Sequence, residues 1–133
     1  MRAAGRLVAI ACLLLLAPAG FSAAGKPAVI SASARCDAAS LCEITVTLAH
    51  EDEGWGHYAD RWEVLGSEGE VLATRVLLHP HAQEQPFTRS LRGVQLPATL
   101  THVSIRAHDS VHGDGGAERR IEIERPGAPG TAR

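Results

Sequence analysis

Lysine is almost missing from this chain. Lys26 stands alone beside twelve arginines, which reads as genome composition. No run of basic side chains is present to neutralise phosphates, so neither nucleic acid nor an anionic membrane surface is an expected partner. Methionine occurs only as the initiator, which excludes a Cu(I) site built from thioethers. Helical periodicity is nearly absent after residue 25, and with it the helical bundle as a fold class.

The one long apolar run lies at the start. Arg2 and Arg6 precede Leu7 to Ala17, a run broken only by Cys12, and Pro18, Gly20, Ser22 and Ala24 follow. This is the pattern of a secretory signal over residues 1–24, with cleavage expected before Gly25. The run is too short to span a membrane, and Cys12 lies inside it, where it would not serve as a lipid anchor. Cleavage leaves about 109 residues, enough for one domain, with 11 basic against 15 acidic side chains. The expected organisation is a domain over 25–124 and a disordered tail over 125–133, where Pro126, Gly127, Pro129 and Gly130 cluster. The expected compartment is the periplasm or the exterior, with no membrane contact after cleavage. Cys36 and Cys42 are then the remaining cysteines. An oxidising compartment favours their pairing, and so short a loop contributes about 2 kcal/mol. A two-thiolate metal site is the alternative, at a spacing longer than such sites normally use.

Short runs of alternating or β-branched character replace helices. They are 28–34, 42–50, 58–65, 70–78, 87–91, 100–108 and 117–124. Cys42, Ile44, Val46 and Leu48 share one face; Trp62 and Val64 share another, as do Val103, Ile105 and Ala107. Gly66 to Gly69 marks a hairpin turn, and Gly113 to Gly116 reads as a second. Seven strands in about 100 residues, with a tryptophan on the third, predict an all-β immunoglobulin- or fibronectin-like sandwich.

In such a sandwich successive connections alternate between two poles. If the cysteine loop is at the top, the connections 51–57, 79–86 and 109–117 are at the bottom. His50, His57, His79, His81, His108 and His112 all border these bottom loops, and only His102 belongs to the top. Imidazoles converging from several loops are what a transition-metal site requires. Glu51, Asp52, Glu53, Asp109 and Asp114 occupy the same loops as oxygen ligands or as carboxylates that fix a histidine tautomer. The expected ligands are His50, His57 and His112, completed by His79, His81 or His108, with Asp109 as ligand or support. Iron, Cu(II) or zinc fits such a set. His79 and His81 can share one ion only if the chain bends at Pro80, because residues two apart on an extended chain do not converge.

The segment from His50 to Gly113 resembles the iron-binding domain of superoxide reductases, the desulfoferrodoxin and neelaredoxin family. In that family a histidine precedes a His-Tyr pair and a nearby tryptophan; here His50 precedes His57-Tyr58 and Trp62. The family then places a cysteine, a histidine three residues on and a glycine, where this chain has Asp109, His112 and Gly113. The resemblance implies an immunoglobulin-like fold and iron at the histidine pole, with the family's cysteine ligand replaced by Asp109. A second resemblance is to the sulfur-carrier partner subunit of the periplasmic thiosulfate-oxidising complex. It rests on the segment Val103 to Asp109 running into glycines, and implies a non-catalytic module with a periplasmic protein partner.

Other chemistry finds little support. Ser110 between His108 and His112 cannot form a hydrolytic triad from one strand end. The glycines at 113–116 precede no helix that could bind a phosphate. Trp62 belongs to the core by parity with Val64. Trp55, between Gly54 and Gly56, could cap a metal pocket, contact a partner or fold back over the sandwich end. Arg75, Arg89 and Arg106 are expected on solvent faces, paired with Glu63 and its neighbours.

Overall fold

The computed structural model describes residues 25–127. Residues 1–24, where the sequence predicts a leader and its cleavage site, and residues 128–133 lie outside the described residues. The fold is all-β: β1 (Ala28–Cys36), β2 (Leu41–Ala49), β3 (Ala59–Leu65), β4 (Val71–Val76), β5 (Phe87–Gln95), β6 (His102–Asp109) and β7 (Gly113–Glu124). They hydrogen-bond in the order β4-β3-β6-β7-β1-β2-β5. All neighbours are antiparallel except β1 and β7, which run parallel through Ala34 opposite Ile123 and Arg35 opposite Glu124. That short parallel junction joins a β1-β2-β5 layer to a β4-β3-β6-β7 layer, the arrangement of an immunoglobulin-like sandwich.

The alternation seen in the sequence decides which faces meet. Cys42, Ile44, Val46 and Leu48 on β2 and Val103, Ile105 and Ala107 on β6 are buried, as are Trp62 and Val64 on β3. They form one continuous core with Phe87, Leu77 and Leu96, and full burial of each large aliphatic chain contributes about 1.5–3 kcal/mol. Cys36 and Cys42 face each other across the β1–β2 hairpin and form a disulfide.

Two strands differ from the sequence reading. β7 begins at Gly113 rather than Ala117, so the glycine cluster is strand and the actual turn is 110–112. Gly113 and Gly116 hold φ of 74° and 69°, and the β6–β7 register slips between Gly115 and Arg119, opposite Ala107 and Ile105. Left-handed glycines at a bulge carry the same sequence signature as a turn. β5 likewise runs on to Gln95 through a left-handed Gly93. Arg125, assigned by sequence to the tail, is held in place: its guanidinium donates to Ser40 Oγ at 3.1 Å, Pro97 O at 2.7 Å and Leu100 O at 3.2 Å.

Of the expected arginine pairs, Arg106 does reach Glu63, at 2.5 and 2.9 Å, with Arg61 as the second partner. Arg89 instead pairs with Glu84, and Arg75 donates to the backbone oxygens of Ser90 and Val76.

Candidate metal centre

The bottom pole is built from the β2–β3, β4–β5 and β6–β7 connections together with the first described residues. Asp109 continues the inward face of Val103, Ile105 and Ala107, so β6 pushes a carboxylate into the end of the core, where it is fully buried. Burying a carboxylate is costly unless donors compensate. Asp109 Oδ1 accepts the backbone N–H of Val111 at 2.8 Å and of His112 at 2.5 Å, and Oδ2 lies 3.0 Å from His112 Nδ1. Burial raises the Asp109 pKa, but these donors and the charge of His112 outweigh it and hold the carboxyl below its usual range.

His50 leaves the end of β2 and His57 precedes β3; both turn toward Asp109. His50 Nε2 lies 3.5 Å from Asp109 Oδ2, and His57 Nε2 lies 3.7 Å from Asp109 Oδ1. The three residues offer donor atoms all within 4.8 Å of one another. Four donors about 2.1 Å from one tetrahedral ion sit about 3.4 Å apart, so both histidine–carboxylate separations already match. A further oxygen points into the same space: the Gly25 carbonyl is 3.0 Å from His50 Nε2 and 3.1 Å from His57 Nε2.

Tautomers follow from the far side of each ring. His50 Nδ1 contacts Asp52 Oδ1. Asp52 is a buried carboxylate that also accepts the N–H of Ala59 at 3.0 Å and of His81 at 2.6 Å. Such a carboxylate only accepts, so His50 donates from Nδ1 and, when neutral, its Nε2 carries a lone pair. His57 Nδ1 faces Glu53 Oε2 at 3.5 Å, which favours the same tautomer. Two imidazole nitrogens, a carboxylate and a carbonyl oxygen therefore converge on one space, with the Nε2 atoms of His50 and His57 at hydrogen-bond distance from the Gly25 carbonyl. A carbonyl only accepts, so these contacts are met either by an Nε2–H on each ring or by one cation shared among the ring nitrogens and the oxygens. Consistently, desolvation lowers the His57 pKa, but the Gly25 carbonyl, Glu53 and the Asp109 charge together more than offset it and leave the ring more basic than usual.

The seven sequence candidates divide sharply. His50, His57 and Asp109 form the cluster. His112 adjoins it through Asp109 and through its ring, 4.9 Å from that of His57. His108 does not join: it alternates with Asp109 along β6 and so faces outward, its Nδ1 2.5 Å from Asp60 Oδ1 and 3.2 Å from an Arg61 nitrogen. His79 is exposed, with Nδ1 on Pro80 O at 3.1 Å. His81 is buried, but its ring stacks on Phe87 at 4.0 Å. The His79 and His81 rings do approach to 4.6 Å, yet neither belongs to the cluster. Burial first, then the charges of Arg89 and His79, lower the His81 pKa. Trp55 does not fold back; it is 69% exposed, edge-on to Tyr58. The Gly25 carbonyl has no residue-type signature and could not be read from the sequence.

No family model matches the chain. A protein of Halomicrobium mukohataei, named as a candidate lipoprotein, is 43% identical over 82 residues, which is 62% of this chain. The chain spans 40% of that relative's length. Among solved structures, CopC from Methylosinus trichosporium OB3b is similar over 75% of this chain and 95% of its own, at 13% identity and a TM-score of 0.40. That overlap is too loose to carry a site across.

Proposed function

We propose that this chain is a small exported metal-binding protein that holds one transition-metal ion between His50, His57 and Asp109. The observation that carries the reading is the convergence of His50 Nε2, His57 Nε2, the Asp109 carboxylate and the Gly25 carbonyl on one space. Two imidazoles with oxygen ligands suit Fe(II), Cu(II) or Zn(II). The superoxide reductase resemblance would make the ion iron and would put that family's cysteine ligand at Asp109. A carboxylate there withholds the electron donation of a thiolate, so the reading is binding of the ion rather than reduction of superoxide. Export is supported by the leader pattern, by the Cys36–Cys42 disulfide and by the relative named as a candidate lipoprotein.

A second reading, a non-catalytic module docking a periplasmic partner, is favoured by one feature. Trp55, Leu78 and Val111, all from the connections of the histidine pole, are 69%, 74% and 58% exposed. The readings are separated by metal content of untagged protein exported from the full chain. About one ion per chain, lost in a His50→Ala/His57→Ala double variant, supports the metal reading. No metal as purified, and none retained after incubation with iron, copper or zinc, overturns it and leaves the docking module.

A further inference from the structure

The oxygen that faces both imidazoles belongs to Gly25, the first residue after the expected leader. Gly25 is not a frayed end. Pro27, two residues on, is fully buried, and the Gly116 bulge of β7 packs so closely on it that a Cβ at 116 would lie 2.8 Å from Pro27 O. At Gly25 itself a Cβ would come within 2.7 Å of the His112 ring. The first residues after the expected cleavage point are therefore pinned beneath His112, with the Gly25 carbonyl directed between His50 Nε2 and His57 Nε2.

We infer that removal of the leader completes the metal site, because it turns the Gly25 nitrogen from a peptide amide into a free α-amine that binds the same ion as His50 and His57. An amide nitrogen delocalises its lone pair into the carbonyl and offers none to a metal. A terminal amine offers one, and it lies two atoms along the backbone from the carbonyl carbon whose oxygen already points into the cluster. Nitrogen and oxygen of one residue can then close a five-membered chelate ring on one ion. Glycine suits the position because any side chain there meets His112. The consequence is a precursor with two nitrogen donors and a processed chain with three, so that full affinity arises only after export. This inference rests on the His50–His57–Asp109 reading and adds a ligand to it.

The test uses the full chain, exported and processed by the cell, with its first residue read by intact mass. Gly25 is the expected first residue; any other refutes the inference. The processed protein is then compared with the same protein after selective transamination of its α-amine, a treatment that spares the Lys26 side chain; circular dichroism confirms that the fold is kept. Cu(II) and Zn(II) are the probes. Expected is at least a tenfold loss of affinity for both on transamination, with the Cu(II) paramagnetic resonance spectrum changing from three coupled nitrogens to two. Unchanged affinity and an unchanged spectrum overturn the inference but leave the three-residue site standing. Failure of the untreated protein to bind either ion overturns the site itself.

Discussion

Replacing Asp109 with asparagine tests the site where the fold and the ion make opposite demands. The side chain keeps its shape, and its Oδ1 can still accept the N–H groups of Val111 and His112 at 2.8 and 2.5 Å. What changes is the charge facing His50, His57 and His112. Hydrogen bonds to a charged acceptor contribute about 1.5–3 kcal/mol, against about 1 for neutral ones. The metal-free variant should therefore lose about 1–2 kcal/mol. The larger effect appears on adding metal. Binding to the folded state alone stabilises by RT ln(1 + [L]/Kd), about 2.7 kcal/mol at a hundredfold excess over Kd. For a domain of about 100 residues that raises Tm by roughly 10–20 °C. If asparagine weakens binding tenfold, the same metal concentration contributes about 1.4 kcal/mol, and the shift halves. Differential scanning calorimetry with and without Zn(II), at matched free ion, measures both quantities. A variant that keeps the full metal-induced shift would refute Asp109 as a ligand. Wild-type protein with no shift would refute the site.

Asp52→Ala removes the acceptor for His50 Nδ1 and for the N–H groups of Ala59 and His81. It should cost about 3 kcal/mol in urea unfolding and lower metal affinity 10- to 100-fold through loss of the fixed tautomer; unaltered affinity by competitive titration would show that His50 is oriented without it. Glu63 is buried, which raises its pKa, but the guanidiniums of Arg106 and Arg61 prevail and hold it below the usual carboxylate range. Its contribution is therefore present above the unfolded carboxyl pKa and lost as pH falls through the folded one. Glu63→Gln should be about 1.5–3 kcal/mol less stable at pH 7, and the gap to wild type should close in acid; a gap independent of pH would argue against the ion pairs as its source. His108→Ala should leave metal stoichiometry and affinity unchanged, since that ring faces away from the cluster, and elemental analysis checks it. Reduction of Cys36–Cys42 should cost about 2 kcal/mol at the pole opposite the His50–His57–Asp109 cluster, with the metal content of the folded protein unaffected.

The strand pattern was legible because alternation records which face is buried. β2 and β6 read correctly almost residue by residue, and the gathering of histidines at one pole followed from strand count alone. The individual ligands were harder. Parity along β6 already placed Val103, Ile105 and Ala107 inward, and carrying it two residues further points Asp109 into the core and His108 away from it. That signal was in the sequence and outweighs the general affinity of histidine for metals. For His79 and His81 no such signal exists, because their side chains are directed by a loop whose course depends on Asp52 and Phe87 elsewhere in the chain. The Gly25 carbonyl is less legible still. Every residue carries a carbonyl, and only the packing of Pro27 and Gly116 fixes where this one points.

The two tryptophans divide between them the two ends of this molecule's behaviour. Trp62 is sealed in the core and Trp55 stands in solvent two residues from His57. Their emission should accordingly separate into a blue component that survives until the sandwich opens and a red one that senses the histidine pole. A paramagnetic ion such as Cu(II) at that pole would quench the red component at once, whereas Zn(II), with its filled shell, would leave the light on. The protein thus carries an internal optical gauge that tells loading from unfolding, and one ion from another, without any added dye.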